Sequence, residues 1–237
     1  MPTYRLTEPA VLTFVVIPAL LVIALVWCIV VAWRRAGAPL PTAVRAGLVT
    51  ALAAAAWMAL TWVAAATGIL REWDRNPPPF ALFVVGVLVV SAALSFGTIG
   101  RQIAAQAPLW LLVAVQGFRL PLELSMHALY ERGIMPVQMS YSGRNFDIVT
   151  GATAVIVGLL VKTGRAGRGL VAVWNVLGLG LLVNVVAVAI LSTPRLRYFG
   201  DDHLNVFVTY PPFVWLPAVM VVAALAGHLL IFRALAR

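Results

Sequence analysis

Acidic residues are scarce in this chain, with eight Asp and Glu against 17 Lys and Arg in 237 residues. Charged residues of both signs make up only 11% of it, where a soluble domain carries about 25%. That is too little charge to cover the surface of an ordinary water-soluble fold. Cysteine occurs once, at Cys28, which excludes a disulfide framework and a cysteine-based metal centre. Lysine also occurs once, at Lys162 near the end of an apolar run, so a retinal pigment would lack its Schiff-base lysine in the last span. No HExxH zinc signature and no GxSG serine-protease signature is present. The basic stretches "RRAGAPLPTAVR" and "KTGRAGRG" are short linkers without interleaved aromatics, which argues against nucleic-acid binding.

What the chain has instead is hydrocarbon. Hydrophobic residues reach 62%, and the apolar runs are long enough to cross a bilayer, which takes about 20 helical residues. Polar breaks divide the chain into about seven spans: 11–33, 46–70, 80–99, 104–130, 148–161, 170–191 and 213–235. The expected fold is therefore all-α, a single polytopic helical bundle over residues 1–237. The fifth run, "IVTGATAVIVGLLV", is short, and six spans with this segment shallow or re-entrant is the alternative. The first run is longer than the apolar core of about 7–15 residues in a signal peptide, so it is read as a retained helix.

Loop charge tests the count, because successive loops must alternate sides. One set of loops holds nine Lys and Arg with no acid, among them Arg34, Arg35, Lys162 and Arg165. The other holds seven arginines together with all seven loop carboxylates, among them Glu8, Asp147, Asp201 and Asp202. By the positive-inside rule the first set is cytoplasmic, which places the N-terminus outside and the C-terminus inside. The net charge of +9 then serves orientation and contact with anionic headgroups of the lipid bilayer.

The fourth span carries ionisable residues within otherwise apolar sequence. At 100° per residue, Gln116, Arg119, Glu123, His127 and Tyr130 share an arc of about 80° on one helix face. If the helix starts at Ala104, Arg119 lies about 22 Å along it, past the midplane, with Glu123, His127 and Tyr130 climbing outward. A charge at that depth costs about 2.5–3.5 kcal/mol. The i, i+4 spacing makes Glu123 the local partner for Arg119, and Glu123 also reaches His127. Pro121 removes the hydrogen bond to Gly117 and predicts a kink beside Arg119.

Other polar groups surround this stripe on paper. The stretch "MSYSGRNFD" supplies Arg144, Asn145 and Asp147 as a possible roof, or else a turn and helix cap. Asn184 of the sixth span sits at a depth similar to Arg119, whereas Asn175 faces the opposite way and pairs more readily with His228. Asp201, Asp202 and His203 form a second outer loop. A metal held by Glu123, His127, His203 and an aspartate has too little ligand spacing behind it, so neither a metal nor any other cofactor is assigned. The stretches "FRLPLELSMHALYERGIMPVQMSYSGRNFDI", "WNVLGLGLLVN" and "YPPFVWLPAVMVVAALAGHLLIFRAL" resemble an uncharacterised family of bacterial multi-pass inner-membrane proteins. The resemblance implies a bacterial inner-membrane location and carries no activity.

Taken together, the residues predict an outward-opening intramembrane pocket built from Gln116, Arg119, Glu123, His127, Tyr130, Arg144, Asn145, Asp147 and Asn184. Its first reading is binding or transport of a small polar, anionic or lipid-like ligand, with Arg119 as counter-charge. The alternatives are a membrane enzyme acting on a lipid or quinone-like substrate through Glu123 or His127, and a scaffold or sensor subunit in which the stripe only holds helices together.

Overall fold

A computed structural model describes residues 4–237. Among the described residues the regular structure is helical, with no strand. The helices are α1 (Pro9–Arg35), α2 (Leu40–Ala66), α3 (Pro79–Phe96), α4 (Thr98–Gln106), α5 (Leu109–Val115), α6 (Arg119–Glu131), α7 (Ile148–Lys162), α8 (Arg168–Leu191) and α9 (Val222–Leu235). A 3-10 turn, Gln116–Phe118, joins α5 to α6, and a π-helical segment, Leu216–Val221, leads into α9. Six helical stretches are long and apolar enough to cross a membrane: α1, α2, α3, the α5–α6 span Leu109–Glu131, α8, and Leu216–Leu235. The seventh expected span, α7, is apolar but only 15 residues long.

Prolines set several of the starts, because a proline at the first turn forgoes an N–H that would have no partner there. Helices α1, α2 and α3 each carry one at that place. Pro108 also corrects the expected fourth span. The chain is extended at Ala107 and Pro108, so the residues from Thr98 to Gln106 form a separate helix and the crossing starts at Leu109. Arg119 is then about 15 Å into a 23-residue span, near its middle instead of past it. The tightening to 3-10 geometry at Gln116–Phe118 falls beside the bond that Pro121 deletes.

Small residues govern how closely α7 approaches the α5–α6 span. A Cβ at Gly151 would strike the backbone at Arg119 and Leu120, one at Gly158 would lie 2.9 Å from the Ala114 Cβ, and one at Gly117 would lie 2.8 Å from a Val155 methyl. Backbone-to-backbone packing of this kind is available only to glycine, and it gives membrane helices van der Waals contact that lipid cannot supply. Gly178 on α8 similarly leaves room for His228 and Thr150, whereas a Cβ at Gly180 would meet nothing within 4 Å.

Helix α2 and the π-helical segment before α9 are joined by reciprocal bonds from indoles to backbone. Trp57 Nε1 donates to the Ala218 carbonyl at 2.8 Å, and Trp215 Nε1 donates to the Met58 carbonyl at 3.1 Å. A π-turn leaves carbonyls out of the regular ladder, and Trp57 satisfies one of them. Loop contacts gather at two ends of the bundle. Arg132 pairs with Glu8, and Arg71 donates to the Thr209 carbonyl at 2.9 Å at one end. At the other, Arg35 donates to the Gln106 carbonyl at 2.9 Å and Arg168 to the Leu235 carbonyl at 2.6 Å.

Candidate functional site: a buried polar network

The segment between α6 and α7 does not stay at the surface. Gln138, Met139, Ser140, Asn145 and Asp147 are all buried, and Val137–Met139 makes a single 3-10 turn. Irregular backbone is tolerated at membrane depth only where protein encloses it. Here it carries Asn145 and Asp147 to the middle of the α5–α6 span, and α7 is short because it starts from that depth. The expectation that Asn145 or Asp147 caps α7 is not met. Asp147 occupies the cap position without a side-chain cap bond, and its backbone N–H donates to Asn145 Oδ1 at 3.0 Å.

Arg119, 1% exposed, meets Asp147 and not Glu123. Its Nε donates to Asp147 Oδ2 at 2.6 Å. Its Nη2 lies 2.5 Å from Oδ1, off the line of a hydrogen bond. Nη1 donates to His228 Nε2 at 2.9 Å. Since a guanidinium has no lone pair to offer, His228 must accept there, which fixes a neutral imidazole with its proton on Nδ1. That proton goes to Asn175 Oδ1 at 2.8 Å, and Asn175 Nδ2 returns a bond to the His228 carbonyl at 3.0 Å.

Glu123 is held separately. Its Oε2 accepts from Asn145 Nδ2 at 2.7 Å, and the same amide nitrogen donates to the Met139 carbonyl at 3.0 Å. One continuous network thus runs Glu123, Asn145, Asp147, Arg119, His228, Asn175 across three helices and the buried segment. The expected local pair of Arg119 with Glu123 is replaced by Asp147, which arrives from another element and meets the guanidinium with one charge-assisted hydrogen bond and a second close charge contact. The expected pairing of Asn175 with His228 is present. Their attachment to Arg119 is an addition that the sequence does not signal, since it joins residues on three different helices.

The rest of the stripe divides away from this centre. His127 Nδ1 lies 2.8 Å from Ser140 Oγ and 3.1 Å from Ser142 Oγ, its ring stacks on Tyr141 at 4.3 Å, and Nε2 is 3.5 Å from Glu131. Tyr130 sits 5.8 Å from the His127 ring. These two belong to a surface cluster separate from Glu123. Asn184 donates to the Arg144 carbonyl at 2.7 Å and does not reach Arg119, while the Arg144 guanidinium lies over Phe199 at 5.2 Å. Gln116 leaves the group as well, pointing toward α9 with Nε2 at 3.4 Å from the Ala224 carbonyl. Asp201, Asp202 and His203 are exposed, and Asp201 pairs with Arg197 at 3.0 Å.

The cavity beside the network differs from the polar, outward-opening pocket expected. It is a furrow of about 380 Å³ between α3, α6, α8 and the start of α9. Its walls are apolar, with Phe80, Phe118, Leu122, Leu182, Val186 and Met220 among them, and Arg119, Glu123 and Asp147 form its only charged wall. Leu88 and Val183 at its rim are 49% and 59% exposed on the outer surface of the bundle. His127, Tyr130, Arg144, Asn145 and Asn184 do not line it. Among the described residues no group of three or more His, Cys, Asp or Glu is placed to hold a metal ion.

No known protein family, curated protein or solved structure matches this chain. The class rests on the molecule itself: six apolar helices consistent with a multi-pass integral membrane protein.

Proposed function

We propose that this protein is a bacterial inner-membrane protein that takes up a lipid-like ligand from the side, through the furrow between α3 and α8, and reads its head group with Arg119, Glu123 and Asp147. The observation that carries this reading is a set of charged side chains at the wall of an otherwise apolar cavity, whose rim residues are exposed where lipid would lie. Buried ionisable groups inside a membrane protein mark ligand and ion paths by default. The cluster holds one guanidinium and two carboxyl groups, and the guanidinium is already engaged by Asp147. An anionic head would have to displace Asp147, so a neutral or cationic head with hydrogen-bonding groups fits better, and the tail must be apolar.

In this reading the chain crosses seven times, with the N-terminus outside and the C-terminus in the cytoplasm. The sorting of loop carboxylates onto one set of loops supports it. At about 22 Å that helix falls short of a core about 30 Å thick, and the buried segment before it supplies the remainder.

The test is co-purification. Lipid extracts of the purified protein analysed by mass spectrometry should contain a bound amphiphile at a fixed ratio. Val186→Trp, which fills the furrow, should lower that ratio severalfold, and Leu177→Trp on the exposed face of α8 should not. An unchanged ratio in a folded Val186→Trp protein would overturn the proposal. The second reading is a structural network, favoured by the mutual bonding of Arg119, His228 and Asn175. It predicts a folded protein that carries no ligand at all.

A further inference from the structure

A second cavity, larger than the furrow, lies on the other side of α9. It occupies about 630 Å³ between α1, α2, α4, α5 and α9, within the usual range of small-molecule sites at about 300–1,000 Å³. It shares no lining residue with the furrow. Its walls are mostly hydrocarbon, and the polar side chains among them are turned to the backbone. Thr50 Oγ1 donates to the Ala46 carbonyl at 3.0 Å, Trp57 Nε1 to the Ala218 carbonyl at 2.8 Å, and Gln116 Nε2 faces the Ala224 carbonyl at 3.4 Å. A polar head would lose its water here and gain no partner, whereas a hydrocarbon tail loses nothing.

The cavity is open toward lipid and has the depth of one leaflet. Val49, Leu60 and Val115 at its edge are 59%, 62% and 41% exposed. It follows α2 from Val49 to Leu60, about 17 Å. That is close to half of a hydrocarbon core about 30 Å thick, the depth that the tails of one leaflet fill. Lining residues such as Cys28 on α1, Leu94 on α3 and Leu111 on α5 lie in the half of the bundle nearer one end, which fixes the leaflet.

That end is the basic one. Arg35 donates to the Gln106 carbonyl there, Arg168 to that of Leu235 and Arg237 to that of Arg101. None of the eight Asp and Glu falls at this end, and none of the ion pairs among the described residues involves it. Two of its arginines stand in line with the cavity. At 100° per residue, Arg45 shares an arc of about 80° on α2 with the lining residues Val49, Ala53, Ala56 and Leu60, one turn beyond Val49. On α1, Arg35 shares a similar arc with Leu21, Leu25 and Cys28, two turns beyond Cys28. Both arginines are exposed. Arg35 commits one N–H to Gln106, and a guanidinium has five, so donors remain for an anion.

From two guanidinium groups without a carboxylate partner, aligned with an apolar cavity one leaflet deep, we infer that this cavity holds an acyl chain of an anionic phospholipid whose phosphate is bound by Arg35 and Arg45. Basic groups between membrane helices at such an end recognise anionic heads, and the cavity supplies the tail site that an isolated basic loop lacks. The site stands independently of the furrow and of whatever the furrow binds.

The experiment uses the full-length protein in detergent micelles and phosphatidylglycerol carrying a photoactivatable diazirine in one acyl chain, with crosslinks mapped by mass spectrometry. Crosslinks are expected on the cavity faces of α2 and α9. Unlabelled phosphatidylglycerol should compete for them at least about tenfold better than phosphatidylcholine with the same chains, since each arginine near an anionic head contributes about fivefold. Arg35→Gln and Arg45→Gln should each cut that preference about fivefold. Arg165→Gln, at the same end but between α7 and α8, should leave it unchanged, and Ala53→Trp should remove the cavity crosslinks. The headgroup comparison on the unaltered protein keeps the test decisive if Ala53→Trp does not fold. Equal competition by phosphatidylcholine overturns the inference, as does the absence of crosslinks from α2 and α9. An equal loss of preference in Arg165→Gln also overturns it, because the preference would then belong to the whole basic face.

Discussion

Replacing Arg119 and Asp147 by leucine, singly and together, probes the centre of the molecule most directly. Both side chains are buried, at 1% and 6% exposure, and their contacts are 2.5 and 2.6 Å. Either single change strands the other charge in apolar surroundings, which costs about 3–5 kcal/mol. For a chain of this size about 2–4 °C of melting temperature corresponds to 1 kcal/mol, so each single variant should melt about 6–20 °C below the parent. The double variant leaves neither member of this pair behind. It still leaves His228 Nε2 without its donor, a residual cost of about 1–3 kcal/mol, so recovery should be large but incomplete. The companion cycle is Arg119→Leu with Glu123→Leu. Glu123 is held by Asn145 and not by Arg119, so removing it should not rescue Arg119→Leu, because Asp147 remains unpaired. Thermal melts followed by intrinsic tryptophan fluorescence in detergent put the parent, the three single variants and the two double variants on one scale. If the Arg119/Glu123 double variant recovers as much stability as the Arg119/Asp147 one, the partner assignment is wrong and the local i, i+4 pair is the true one.

Further expectations follow from neighbouring contacts. Gly151→Val should force α7 away from Arg119 and Leu120 and cost about 1–3 kcal/mol, read as a lower melting temperature; an unperturbed protein would refute the close backbone approach. His228→Leu removes an acceptor from Arg119 and a donor from Asn175 and should destabilise by about 1–3 kcal/mol for each group left unpaired, whereas Asn184→Leu, away from the network, should stay within about 0.5 kcal/mol of the parent. In a Cys28→Ser background, single cysteines at Asp201 and Arg165 should differ in labelling by an impermeant thiol reagent on intact cells. Labelling at 165 without labelling at 201 would reverse the proposed orientation.

Sequence alone determined the membrane class, the approximate extent of most helices, and the presence of ionisable residues inside an apolar run. Each of these is written in local terms: hydropathy is a sum over neighbouring residues, prolines act on their own turn, and charge within an apolar run is visible wherever it falls. The small residues of α7 were visible too, but not what they pack against. Only tertiary structure decided the pairing. Helical periodicity placed Gln116, Arg119, Glu123, His127 and Tyr130 on one face, and the fold then gave them different neighbours: Arg119 to Asp147 and His228, Glu123 to Asn145, His127 to a serine cluster, and Gln116 to a second cavity. Proximity in sequence favoured Glu123 for Arg119. A desolvated guanidinium is stabilised by a carboxylate in direct contact, and that carboxylate, Asp147, arrives on a segment that reads as a surface loop. Its descent into the bundle depends on how closely α7 can approach Arg119 through Gly151, a property of two helices at once that no single stretch of sequence displays.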